Sequence, residues 1–243
     1  MTAPSKFRAI VLGTVRHSDR VDIVHLYTDV SGRIDAIVPA SGATKAGRMR
    51  RAALMPLSVI QGELRARAGS ELQKLFRFSL ERPNTGIAGN PIKSAMALFM
   101  AEFMQKILRE ATPDPVLFRF LDLSVETLDK TSAPANFHLA FLTHTTLFAG
   151  MMPDVSDYTP AAVFDLREGR YCDYMPPHPD VLSGEEARIP VLLMKLNYSN
   201  FTRLRLSRET RRRILQGILR YYTLHFPGIE TMRSLPVLTQ LFS

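Results

Sequence analysis

Hydrophobic residues alternate with polar ones up to about residue 81, and after that point they recur at helical spacing. Five segments before it have the alternating, β-branched composition of short strands. They cover residues 7–15, 22–28, 33–38, 54–64 and 72–80. Short strands leave exposed edges unless their sheet closes on itself. The sequence therefore predicts that residues 1–81 fold into a small closed barrel of antiparallel strands.

The positive charge of the chain is concentrated in this first segment. Residues 1–80 contain 13 Lys and Arg against 6 Asp and Glu, which accounts for nearly all of the net charge of +8. A predicted flexible loop before the fourth strand carries Lys45, Arg48, Arg50 and Arg51. No acidic residue lies between Asp35 and Glu63. Mobile cations on a rigid barrel are expected to bind a polyanion such as a nucleic acid, because contacts with its phosphates release counterions and this release favours binding. A solvated loop that only maintains solubility is the alternative.

Five strands and this charge together favour the OB-fold over other small barrels. A segment rich in Pro, Gly and Asn, residues 81–91, is the predicted linker to the rest of the chain. Helices are predicted over 93–109, 115–128, 133–148, 185–196, 207–226 and 230–242. The predicted fold class is α+β and multi-domain. An OB-fold barrel occupies residues 1–81, and an all-α domain with a small irregular hairpin insertion occupies 82–243.

The chain carries no sequence signature of an enzyme. The segment SGATKAGR lacks the spacing of a phosphate-binding loop, and no H-E-x-x-H occurs. His138 and His144 do not share a face of their predicted helix, so paired metal ligation is not expected. The single cysteine, Cys172, excludes a disulfide framework and a cysteine-based zinc knuckle. We therefore expect no catalytic residue, no metal and no cofactor.

Two further groups of residues have both a structural and a functional interpretation. A stripe on the first long helix contains Met96, Phe99, Met100, Phe103 and Met104. Such a stripe is most often core. The alternative is an adaptable peptide groove formed by Phe99, Phe103 and Met104, with Lys106 and Arg109 at its end. Arginines near the start of the helix over 207–226 oppose the helix dipole, which suggests a polyphosphate contact. A solvated face is the alternative for them.

The order of these features resembles that of the bacterial recombination mediator family RecO. The resemblance rests on FRAIVLGTVRHSDRVDIVHLYTDVSGRIDAIVP, the basic glycine loop, LMPLSVIQGEL, the linker, the helical half and the closing SLPVLTQLF. It covers essentially the whole chain. It implies an OB-fold joined to a helical domain, and a protein that binds single- and double-stranded DNA and anneals complementary strands. It also implies that the protein acts with RecR to help RecA displace single-strand-binding protein (SSB). The helical domain is then expected to bind the acidic SSB tail.

With the resemblance, local charge selects the candidate DNA-binding residues. They are Arg8, Arg33, Lys45, Arg48, Arg50, Arg51, Arg65, Arg67, Arg208, Arg211 and Arg212. Tyr27 or Phe76 could stack on bases. Many relatives carry a four-cysteine zinc element in the helical domain, and here the corresponding residues 152–184 keep a hairpin but only Cys172. We therefore expect no zinc, and a hairpin held by packing of Phe164, Tyr171 and Tyr174.

Two other functions remain open from the sequence. A protein-interaction adaptor would use the basic surface for acidic peptides, and an RNA-binding OB protein would prefer strands with 2′-hydroxyls. The N-terminus lacks a signal-peptide pattern, and no apolar run reaches the roughly 18 residues that a spanning helix needs. The sequence therefore predicts a cytoplasmic protein that does not bind a membrane, and the resemblance implies association with the nucleoid.

Overall fold

The computed structural model describes residues 5–40, 42, 44–65, 72–108 and 112–241. The chain divides into two compact units, Met1–Lys130 and Thr131–Ser243. The first unit contains the predicted barrel and also the helices that follow it. The division into domains 1–81 and 82–243 stays a prediction.

Five strands of the first unit close into a barrel of order β1-β2-β3-β5-β4. They are β1 Ser5–Arg16, β2 Val21–Thr28, β3 Gly32–Pro39, β4 Val59–Arg65 and β5 Leu72–Leu80. All neighbours pair in antiparallel fashion except β3 and β5, which are parallel where residues 35–37 face 72–74. Fully buried residues from successive strands, such as Val11, Leu26 and Ile60, fill the interior. The predicted OB-fold barrel is confirmed, with one parallel pair where only antiparallel ones were expected.

The connection between β3 and β4 is a helix, α1 Lys45–Ala53, where the sequence predicted a flexible loop. The Thr44 side chain caps it by accepting a hydrogen bond from the backbone N–H of Gly47 at 3.1 Å. A Cβ at Gly47 would lie 2.2 Å from the carbonyl oxygen of Gly42, so only glycine fits there without a shift. The predicted start of the fourth strand at residue 54 was also wrong, because residues 54–57 form a turn in which Leu57 has φ of 61°.

The remaining helices of the first unit are α2 Thr85–Ala88, α3 Pro91–Ile107 and α4 Pro115–Lys130. Asn90 caps α3 by accepting hydrogen bonds from the backbone N–H groups of Ile92 and Lys93. Helix α3 packs on β1, and α2 packs on both α3 and α4. The two long helices agree with their predicted positions, and they bring their apolar sides into the core of the first unit.

The second unit is mostly helical and carries a small sheet. Its helices are α5 Phe137–Phe148, α6 Ile189–Met194, α7 Arg208–His225 and α8 Ser234–Leu241. Its strands are β6 Val163–Asp165, β7 Arg170–Cys172 and β8 Val181–Leu182, in the order β7-β6-β8. The predicted hairpin is confirmed as β6 and β7, which turn at Gly169 with φ of +69°.

The hairpin is held by packing and by ion pairs. The rings of Phe164 and Tyr171 meet edge to face at 5.0 Å. Tyr174 is 63% exposed, so its expected packing role was wrong. The buried carboxylate of Asp180 instead pairs with Arg167 and Arg220. Hydrogen bonds from Arg220 and Arg167 hold the pKa of Asp180 below its usual range. Pairing across three segments thus crosslinks this part of the second unit.

The described residues include neither a membrane-spanning helix nor a metal-binding cluster. No helix in these ranges is both long and apolar enough to cross a membrane. No group of three or more His, Cys, Asp and Glu side chains among them is placed to hold a metal ion.

Candidate nucleic-acid interface

Helix α1 presents cations on the outside of the barrel. Lys45, Arg48 and Arg51 recur every three residues, so they follow one side of the helix, and all three are exposed. The helix contains no carboxylate, and its last turn holds two of its arginines. Basic residues in the last turn favour the helix because they complement its dipole. The fold thus provides a rigid row of cations where the sequence predicted mobile ones.

Arg50 and Arg51 also hydrogen-bond to the backbone that leads from β3 into α1. The Nη1 atom of Arg50 donates to the carbonyl oxygen of Pro39 at 3.4 Å, and that of Arg51 donates to the carbonyl of Gly42 at 3.2 Å. Arg50 is half-buried, whereas Arg51 remains exposed. These contacts orient the two side chains, and α1 itself contains no acidic residue.

Arg8, one of the candidate DNA contacts, has partners within the protein. Its guanidinium pairs with Glu81 and with Asp122, each at 2.8 Å, and lies 5.3 Å from the ring centre of Phe118. The hydrogen bond to Glu81 holds the pKa of Arg8 above its ordinary value. Burial raises the pKa of Asp122, but hydrogen bonds from Arg82 and Arg8 outweigh it and leave that pKa lowered. Arg8 therefore joins β1 to α4, and its role in DNA binding stays a prediction.

Arg33 is likewise occupied within the barrel. Its side chain is only 12% exposed and pairs with Asp35, and its Nη2 atom lies 3.1 Å from Nδ1 of His25. The same His25 nitrogen lies 2.7 Å from the Asp35 carboxylate. Burial raises the pKa of Asp35, but the hydrogen bonds from His25 and Arg33 outweigh it, so the pKa is lowered. A phosphate would have to displace this internal pair to reach Arg33.

Some candidates lie outside what the structure describes. These are Arg67, Arg109, and the side chains of Arg65 and Phe76. Their proposed roles stay predictions. Tyr27 is described and is fully buried, with its hydroxyl accepting from the backbone N–H of Asp114 at 3.2 Å. Tyr27 therefore does not present its ring to a base.

The downstream arginines divide into two groups by exposure. Arg211 donates from Nε to Oδ1 of Asn136 at 2.9 Å, and burial followed by the charge of Arg208 lowers its pKa. Arg211 thus anchors α7 within the second unit. Arg208 and Arg212 are exposed on the first turns of α7. These two keep their place as candidate phosphate contacts, and that role stays a prediction.

The proposed peptide groove on α3 is not open to a peptide in this structure. Phe99 and Phe103 are fully buried, and Met104 is 1% exposed. The rings of Phe99 and Phe103 stack at 6.0 Å between centres. Lys106 is half-exposed beside them. The stripe belongs to the core of the first unit, which was the first interpretation of the sequence.

Comparison with known proteins agrees with this architecture along the whole chain. The family model described as "Recombination protein O N terminal" matches residues 1–83, and "Recombination protein O C terminal" matches residues 88–234. The chain belongs to the RecO family. Proteins named "DNA repair protein RecO" from Phocaeicola vulgatus and Bacteroides fragilis are each 34% identical over 96% of this chain and 97% of their own length. One from Porphyromonas gingivalis is 30% identical over 97% of this chain and 98% of its own length.

This RecO-family chain is thus a DNA repair protein, and its barrel has one further feature that the sequence prediction missed. A cleft of about 610 Å³ lies between α1 and β5, and we call it the α1–β5 cleft. Its lining includes Met49, Arg50, Arg77, Phe78 and Leu80. The alternation of cations and aromatic residues in LQKLFRFSL was the available signal. From the sequence this segment is a strand in which Phe76 could stack on bases, and no cleft is expected beside it because the neighbouring helix is not predicted.

Proposed function

We propose that this RecO-family protein is a non-enzymatic recombination mediator that binds DNA phosphates through α1. It anneals complementary strands and helps to load a recombinase on single-stranded DNA coated with SSB. Its protein partners are then a RecR-like protein and the SSB C-terminal tail, and it acts in the cytoplasm at the nucleoid. Membership of a DNA repair family supports this proposal.

The observation that carries the proposal is the exposed row of Lys45, Arg48 and Arg51 on a helix without acids. Neutralised phosphates release counterions, so affinity must fall as salt rises. For single strands, log K falls by about 0.7 per contacted phosphate for each log unit of salt. Loss of these side chains should therefore lower the salt slope by about 2 if each one meets a phosphate.

The test is a titration of labelled single-stranded and duplex DNA at several salt concentrations. The parent is compared with a variant in which Lys45, Arg48 and Arg51 are all replaced by Ala. A charge-matched control replaces Arg119, Arg188 and Lys195, which are exposed elsewhere. We expect weaker binding and a shallower slope only in the α1 variant. Equal titrations for the α1 variant and the parent would contradict the assignment.

Annealing and mediation need their own measurement. The parent should accelerate annealing of complementary strands, both bare and coated with SSB, and the α1 variant should be slower in both reactions. Competition between matched DNA and RNA strands separates this function from that of an RNA-binding OB protein. Stronger displacement by RNA than by DNA would favour the RNA alternative. The adaptor alternative has lost its original support, because the Phe99 and Phe103 side chains are buried.

A further inference from the structure

The hairpin region of the second unit is acidic, although the chain as a whole is basic. Residues 152–184 contain 6 Asp and Glu against 2 Lys and Arg, whereas the whole chain has a net charge of +8. Asp165 and Asp180 are buried among these acids, and the other four are exposed. The surface of this region therefore has the opposite sign of charge to that of α1.

The segment that follows β7 places two large apolar side chains in solvent beside one of these acids. Tyr174 is 63% exposed, Met175 is 62% exposed, and the exposed Asp173 precedes them. We call these three residues the acidic tip. Exposed apolar residues are usually scattered singly, whereas here two of them are neighbours. Tyrosine and methionine are also residue types that are enriched where proteins contact one another.

The backbone on both sides of the acidic tip is constrained. The thiol of Cys172, the last residue of β7, donates a hydrogen bond to the carbonyl oxygen of Tyr174 at 3.2 Å. Pro176, which is buried, and Pro177 follow directly after Met175. A proline fixes its own backbone and restricts the residue before it. A tip that is held in this way loses little conformational entropy when it binds a partner.

The α1–β5 cleft of the first unit complements the acidic tip in both charge and polarity. Arg50 lines it from α1 and Arg77 lines it from β5, and no carboxylate is among the described residues that line it. Its apolar walls include Met49 and the partly exposed Phe78. An aspartate beside an aromatic ring would meet opposite charge and apolar surface there. The cleft volume of about 610 Å³ is large enough for a tyrosine side chain.

Two other pockets of the first unit match the acidic tip less well. One has a volume of about 310 Å³ and is lined by residues such as Met55 and Leu98, and none of its described lining residues is charged. The other has a volume of about 560 Å³ and contains Asp29 and Glu63, which would repel Asp173. Of these three, the α1–β5 cleft is the one that combines cations with apolar walls and lacks carboxylates.

We propose that the acidic tip of one copy of this protein docks into the α1–β5 cleft of a second copy. Tyr174 then lies against Phe78, and Asp173 pairs with Arg50 and Arg77. The contact joins two different surfaces, so it is head-to-tail and extends to larger assemblies unless the copies close into a ring. Its ion pairs lie near solvent, so association weakens as salt rises. This inference does not rest on the proposed function.

Sedimentation velocity of the full chain over a series of concentrations measures the association. The parent should self-associate at low salt and dissociate as salt is raised. Tyr174→Ser removes an aromatic anchor, which should weaken association by about 30-fold or more, whereas Tyr174→Phe should behave as the parent. Leu147→Ser is the matched control because it replaces an exposed apolar residue elsewhere in the second unit, and it should also associate as the parent does.

A mixture of two variants tests the head-to-tail arrangement. Met49 lines the cleft and is 66% exposed, so Met49→Glu places a carboxylate in the cleft without disturbing the core. This variant keeps its tip, and Tyr174→Ser keeps its cleft. Neither variant should self-associate, but together they should form a 1:1 complex. Growth should stop at that size because the complex has no further intact tip and cleft.

Photocrosslinking then identifies the surface that the tip contacts. Benzoylphenylalanine replaces Tyr174, which retains an aromatic side chain at this exposed position. Isotopically labelled and unlabelled chains are mixed and irradiated, and the crosslinked peptides are identified by mass spectrometry. Crosslinks between a labelled and an unlabelled copy that end in α1 or β5 support the inference.

Four outcomes would overturn the inference. The parent remains monomeric over the whole concentration series at low salt, or Tyr174→Ser associates as strongly as the parent. The mixture of Tyr174→Ser with Met49→Glu forms no complex. Crosslinks from position 174 join only residues of the same copy or end outside α1 and β5, in which case the occupant of the cleft is not the tip of a second copy.

Discussion

Acidification should weaken the second unit, because His138 must gain a proton when that unit unfolds. His138 lies on α5 with none of its surface exposed. Burial, followed by the nearby charge of Arg211, lowers the pKa of His138 from 6.5 to about 3. The imidazole is therefore neutral in the folded protein at pH values where it is charged in the unfolded chain.

The size of the effect follows from the two pKa values. Below the unfolded pKa of 6.5 the unfolded state binds more protons, so the free energy of unfolding falls as the pH falls toward about 3. Between about pH 7 and about pH 5 the expected loss is about 2 kcal/mol. Carboxylates with pKa values near 4 contribute little in this window. The stabilising contribution is thus fully present above the unfolded pKa and is lost on the acid side.

Urea denaturation followed by far-UV circular dichroism at a series of pH values measures the effect. The comparison is with His138→Leu, which has similar volume and does not titrate. Burial also lowers the pKa of His144, but that residue is present in both proteins, so the difference between them reports His138. The variant should lose about 2 kcal/mol less than the parent over this range. If both proteins weaken in parallel, His138 is not the group responsible and the reasoning is refuted.

Three other predictions concern residues whose roles the structure reassigned or revealed. Arg8→Ala should lower the free energy of unfolding of the first unit by about 1–2 kcal/mol, because it removes partly exposed ion pairs with Glu81 and Asp122. Its DNA affinity, measured at low temperature, should stay at the parent value. Phe99→Ala should cost about 3–5 kcal/mol in urea denaturation, with Phe99→Leu much milder; parent-like stability would mean that the ring is not core. Asp180→Asn should destabilise the second unit by on the order of 2 kcal/mol in thermal unfolding, because Arg167 and Arg220 lose their shared carboxylate; an unchanged melting temperature would contradict a stabilising role.

The barrel could be predicted because alternation in the sequence reports directly on which side of a strand is buried. Helix α1 could not, because Gly and Thr in SGATKAGR are typical of loops. Its formation depends on the Thr44 cap and on close contact between Gly47 and Gly42. The late start of β4 depends on a non-glycine residue, Leu57, with positive φ, which no local pattern indicates.

The candidate site was predicted least well where a residue's partner is far away in sequence. Charge identified Arg8 as a cation, but its partners Glu81 and Asp122 lie 73 and 114 positions away. Arg211 was selected in the same way, and its partner Asn136 lies 75 positions away. Arg33 is different, because its partner Asp35 is only two positions away and charge alone did not indicate the pairing. The Met and Phe stripe posed a different difficulty, because core and peptide groove require the same residue types. Only the burial of Phe99 and Phe103 distinguishes them.

The partners of Arg8 and Tyr27 have a practical consequence for truncation. A fragment cut where the N-terminal family match ends, at residue 83, would keep Arg8 but lose Asp122 and Phe118. It would also expose the hydroxyl of Tyr27 by removing the backbone at Asp114. The first compact unit contains all of these contacts and ends at Lys130, so excised barrels intended for binding studies should extend to that residue.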